Sequence, residues 1–178
     1  MSVGESMSNF VVLLRGINVG GKNRLPMKEL ITLLASNGFD NVKTYIQSGN
    51  LVLASPENPE TKIQSLIESE FGFSVDVSAV SASDFDNLVT KNPYAQEQGN
   101  LVHYYFCRTA PKIDSARVMK YLDASEQYTL EGNVFYLYAP NGIGRSKLVA
   151  NIEQCLGVSA TGRNMNTVNK LVTMLASG

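Results

Sequence analysis

The sequence predicts an α+β fold in which one β-α-β-β-α-β unit occurs twice. The expected bounds are residues 8–80 and 98–178, the second including a C-terminal helix, with a linking helix within 81–97. Three observations carry this. The same order of periodicities is read independently in both halves. The segments Tyr45–Leu53 (YIQSGNLVL) and Tyr128–Leu137 (YTLEGNVFYL) share Tyr-x-x-x-Gly-Asn followed by apolar residues, at the same place in each unit. The runs FVVLL, LVLA, LVHYYFC and VFYLY are almost wholly apolar, as strands covered on both faces must be. A split β-α-β plait has strand order 4-1-3-2, all antiparallel, with strands 1 and 3 central. That is the ferredoxin-like arrangement.

Each element has a local reason. A strand is expected at 10–14. A helix follows at 26–37, with Met27, Leu30, Ile31 and Leu34 on one stripe, Pro26 in its first turn and Gly38 past its end. Strands are expected at 42–46 and 51–54, joined by a turn with the Gly-Asn chemistry of tight hairpins. Asn58-Pro59-Glu60 starts a second helix carrying Ile63, Leu66, Ile67 and Phe71, and Gly72 ends it. The next strand, 74–79, alternates Val75, Val77 and Ala79 with Asp76 and Ser78, as an edge does. The segment 83–90 is the linking helix. The second unit repeats the pattern: strand 101–107, helix 112–122, a hairpin of QYTL and VFYLYA, helix 146–156 and a strand near 159–163. A last helix carries Val168, Leu171, Val172 and Leu175.

Composition narrows the class. Of 178 residues, 44% are apolar and 17% charged, the mixture of a soluble globular chain. No run approaches the roughly 18 apolar residues of a membrane span. The opening MSVGESMSN lacks the basic and apolar regions of a signal peptide. Cys107 and Cys155 have no metal-ligand spacing, which suits a reducing cytoplasm. The net charge of −1 hides an asymmetry. Residues 55–131 hold twelve of the sixteen acids, whereas 132–178 hold only Glu153 against Arg145, Lys147, Arg163 and Lys170.

The cations fall in glycine-rich loops. RGINVGGKN, residues 15–23, leaves the first strand, and QSGN, residues 47–50, forms the following turn. Topology puts both at one end of the first sheet, bringing Arg15, Asn18 and Lys22 toward Gln47, Ser48 and Asn50. PNGIGRSK, residues 140–147, and TGRNMN, residues 161–166, meet at the opposite end of the second sheet. Their polar residues are Asn141, Arg145, Ser146, Lys147, Arg163, Asn164 and Asn166. Backbone N–H groups and cations together suit an anion. The same residues also suit tight turns and helix caps, and both readings stay open. Neither loop has the spacing of a P-loop or a dinucleotide fingerprint, and no cofactor is indicated.

No catalytic set can be named. His103, the sole histidine, lies inside a strand without an evident acid-base partner. GNVFYLY has alternating aromatics but lacks the basic start of an RNA-binding strand, and the pI of 5.8 argues against a general nucleic-acid surface. Binding of a phosphorylated or other anionic small molecule is the first reading. A non-catalytic protein-interaction module is the alternative, and RNA binding the weaker third.

Four segments occur in one order: RGINVGGKN; YIQSGN at 45–50; PNGIGRSKL at 140–148; and TGRNMNTV at 161–168. In these the chain resembles the bacterial domain-of-unknown-function family 1697. The resemblance implies two ferredoxin-like units and no established activity. The family usually has Trp where Met165 stands. If that aromatic stacks on a ligand, this chain lacks the stacking face; if it packs, Met fills the space.

Overall fold

The structure, a computed structural model, describes residues 6–46 and 49–177. It is a mixed α+β fold with two four-stranded antiparallel sheets. The chain divides into two compact units, Met1–Asn87 with Lys170–Gly178, and Leu88–Asn169. The sequence expectation put the divisions at 80/81 and 97/98 and assigned the last helix wholly to the second unit. The boundaries of the two compact units lie at 87/88 and 169/170, each inside a helix. Phe85, Val168 and Leu171 are all fully buried.

The first unit comprises β1 (Ser8–Arg15), α1 (Met27–Ala35), β2 (Asp40–Tyr45), β3 (Asn50–Ser55), α2 (Glu60–Phe71) and β4 (Asp76–Ser81), and α3 (Ala82–Thr90) follows. Its strand order is β2-β3-β1-β4, which is the expected 4-1-3-2 read from the other edge. Phe10, Val12 and Leu14 of β1 pack with Leu51 and Leu53 of β3 against Leu30, Leu34, Ile63 and Ile67 of the helices. Val11 and Leu13 point the other way, and they are fully buried too. Continuous apolarity in this central strand therefore does reflect burial on both faces. Asn58 starts α2 by accepting the Glu60 N–H at 2.9 Å, and Gly72 ends it at φ 81°.

In the second unit a 3₁₀ turn (Gly99–Leu101) leads into β5 (Val102–Cys107), α4 (Ser115–Tyr121), β6 (Gln127–Glu131) and β7 (Val134–Tyr138). Then come α5 (Lys147–Ala150), α6 (Ile152–Leu156), β8 (Ala160–Asn164) and α7 (Met165–Ala176). The strand order β6-β7-β5-β8 repeats the first. Tyr105, Phe135 and Leu137 pack on Val118, Leu148, Ile152 and Cys155. The opposite face is aromatic: Tyr104 meets Tyr136 edge-on at 5.0 Å, and its hydroxyl accepts from Asn92 at 3.1 Å. The single helix expected at 146–156 is two short ones. Asn151 breaks it, with φ −121° and a side-chain amide that donates to the Lys147 carbonyl at 2.8 Å.

Candidate functional site

The first expected cluster folds as a joint. RGINVGGKN forms a miniature hairpin: Asn23 O accepts the Asn18 N–H at 3.1 Å, and Val19 O accepts the Lys22 N–H at 3.0 Å. Gly20 and Gly21 form its tip at φ 58° and 75°, the pair of positive angles a type I′ turn needs. Two buried side chains, Ile17 and Leu25, fix its base. The Asn18 amide spans that base, donating to Leu25 O at 2.9 Å and accepting the Leu25 N–H at 2.7 Å.

The other members of this cluster are dispersed among separate tasks. Arg15 is 3.7 Å from Asp76 on the neighbouring strand. Lys22 is exposed beside the hairpin tip. Asn50 is fully buried, and its amide donates to Tyr45 O at 3.1 Å, closing the β2–β3 turn from inside. Gln47 and Ser48 lie outside the described residues. Gly49 does bring the turn to the joint, since its carbonyl accepts the Leu14 N–H at 2.8 Å.

The second expected cluster separates into two groups. Asn164 caps α7, its side-chain oxygen accepting the Thr167 N–H at 3.0 Å. Arg163 lies along β8 opposite Tyr104, and burial lowers its pKa to about 10. Asn141, Arg145 and Lys147, by contrast, line one recess of about 340 Å³. Lys120, Asp123, Ser125, Glu126 and Ser146 line it with them.

A buried carboxylate organises this recess. Glu126 is 8% exposed. One of its oxygens accepts the Asp123 N–H at 2.9 Å, and the other accepts the Ser146 hydroxyl at 2.7 Å. Ser146 in turn caps α5 by accepting the Val149 N–H at 3.2 Å. Asn141 donates to the Ser125 hydroxyl at 3.1 Å. The loop after β7 is thereby tied to the loop before β6 at two points. The Ser125 hydroxyl and N–H, both donating to Asp123 Oδ2, hold the Asp123 carboxyl below its usual range. Burial, with a smaller contribution from the Glu126 charge, pushes Tyr105 up to about 12.

The cations of the recess, Lys120, Arg145 and Lys147, are exposed. Among the described residues none is in an ion pair, although the Lys120 ammonium lies 5.4 Å over the Tyr121 ring. Sequence reasoning found two of these three. It missed Lys120, Asp123 and Glu126, which lie in or beside a short polar loop that carries no motif. Among the described residues no group of three metal-ligating side chains converges, and no helix is long and apolar enough to cross a membrane.

The profile of the family described as "Protein of unknown function (DUF1697)" matches residues 7–136. The chain belongs to that family. The match takes in the joint and the β2–β3 turn, whereas the segments 140–148 and 161–168 lie beyond it. No curated protein matches this DUF1697 chain. Its fold is similar to that of the conserved bacterial protein SP0830 from Streptococcus pneumoniae. The TM-score is 0.71 at 23% identity, over 96% of this chain and 99% of that one. At that identity the likeness shows the fold alone. Met165, at the position where the family resemblance leads one to expect Trp, is buried, and its sulfur accepts from the Asn92 amide at 3.2 Å. In this chain the position packs.

Proposed function

We propose that the recess between the 120–126 and 140–147 loops binds a small phosphorylated or other anionic molecule. The observation that carries this is the set of three exposed cations, Lys120, Arg145 and Lys147, lining one recess without an ion pair among the described residues. Its volume of about 340 Å³ falls within the range of small-ligand sites. The ties from Ser146 to Glu126 and from Asn141 to Ser125 hold the two loops before any ligand arrives, which lowers the ordering cost of binding. Asn141 offers an amide, and the lysines and arginine offer charged donors. The proposal does not draw on Asn18 and Asn50 of the first unit, whose amides are spent on backbone. The strand order and the helical crossovers that follow the first and third strands of each unit support reading each unit as ferredoxin-like. Two buried free thiols suit a reducing compartment.

The test is a titration of the full chain with phosphate, phosphorylated metabolites and simple carboxylates, followed by calorimetry and by Tm. A charge-assisted hydrogen bond contributes about 1.5–3 kcal/mol. Arg145→Ala should therefore weaken the best anion by roughly ten-fold or more, with little change in the Tm of the free protein. If no anion binds, or if Arg145→Ala leaves affinity unchanged, the proposal is wrong. The competing reading is a protein-interaction module, which draws on Val19, 67% exposed at the hairpin tip. That reading gains if anions fail.

A further inference from the structure

The recess is not uniformly basic, and its acidic side says which anion it takes. Resting on the anion-binding reading above, we infer that the ligand is a phosphate monoester whose body carries neutral hydroxyls, a sugar or polyol phosphate. Three cations and two carboxylates, Asp123 and Glu126, line the same space. A bare phosphate would occupy the basic part and bring no donor to the buried carboxylate of Glu126 or to the exposed one of Asp123. A volume of about 340 Å³ also exceeds what phosphate alone fills.

The acids have acceptor capacity to spare. An ionised carboxylate has about four lone-pair sites. Glu126 uses one on the Asp123 N–H and one on the Ser146 hydroxyl. Asp123 uses only Oδ2, which takes both donors of Ser125; no hydrogen bond from a described residue reaches Oδ1. Vacant acceptors of this kind match hydroxyl or ammonium donors. Hydration decides between the two. An ammonium would be drawn to the carboxylates and repelled by the three cations, and its ion pair with the exposed Asp123 offsets little of the hydration it loses, whereas a hydroxyl has no charge to desolvate. The phosphate group thus goes to the cations, and the hydroxyl-bearing carbons extend toward Asp123 and Glu126.

The experiment is calorimetric titration of the full chain with three probes: inorganic phosphate, a hexose 6-phosphate and 2-aminoethyl phosphate. The hexose phosphate should bind about ten-fold or more tighter than either other probe. Asp123→Asn keeps one side-chain oxygen for Ser125 and puts an amide donor where the vacant acceptor was. It should bring the ratio of hexose phosphate to phosphate affinity toward one. Asp123 is exposed, so this variant folds. Arg145→Ala should weaken all three probes together. If Arg145→Ala weakens all three but the hexose phosphate binds no tighter than phosphate, the inference fails and the anion reading survives. A tighter 2-aminoethyl phosphate overturns the inference in favour of a zwitterion. If no probe binds, both readings fall.

Discussion

Gly49 and Gly20 both have left-handed backbone, at φ 86° and 58°, but a methyl group would meet different surroundings at each. A Cβ on Gly49 would lie 2.7 Å from Leu14 Cβ and 3.0 Å from Ile17 Cδ1. The Leu14 atom is fixed to the backbone of the central strand and cannot rotate away. A Cβ on Gly20 would meet nothing within 4 Å. Each alanine takes on about 1–2 kcal/mol of left-handed strain. Gly49→Ala adds about 1–3 kcal/mol of overpacking. In a chain of this size 1 kcal/mol shifts Tm by roughly 2–4 °C. Gly49→Ala should therefore melt about 6 °C below Gly20→Ala, taking the middle of these ranges. Thermal unfolding followed by circular dichroism at one protein concentration and one scan rate measures this. Equal melting temperatures, or a lower one for Gly20→Ala, would refute the close packing of Gly49 against Leu14 and Ile17.

Two further predictions concern titrating groups. Burial holds the imidazole of His103 below its ordinary pKa, so the unfolded chain binds the extra proton first. Stability should be steady above the unfolded value of about 6.5 and fall as pH drops below it; His103→Phe should flatten that slope between about pH 7.5 and 5.5, and an unchanged slope would show that other groups carry it. Burial pushes the Cys107 thiol up to about 11 and also raises Cys155. Neither should react with an aromatic disulfide reagent at pH 8 until denaturant is added, and a prompt reaction of either would contradict the packing around β5 or α6.

The fold was legible where burial forces a pattern. FVVLL and VFYLY have no charged residue to offer a solvent face, so they had to be central, and centrality together with the Gly-Asn hairpin that pairs the second and third strands leaves one strand arrangement. The helix break at Asn151 was not legible, because an asparagine bonding the carbonyl four residues back reads like any exposed helical asparagine. The candidate site was half legible. Arg145, Lys147 and Asn141 stood out by composition and lie together. Asn18, Asn50 and Asn164 stood out equally, and each turned its amide to the backbone, since the chemistry that binds an anion is also the chemistry that closes a turn or caps a helix. Glu126 gave no signal. A carboxylate in LDASEQY reads as a solvated loop residue until the loop carrying Ser146 covers it.

The most direct test of the account is a ¹H–¹⁵N NMR titration of the full chain with a hexose 6-phosphate. Saturable shifts are expected, concentrated at the amides of 120–126 and 141–147 and lost together in Arg145→Ala. Shifts concentrated instead at 15–24, or none at saturating ligand, would contradict it.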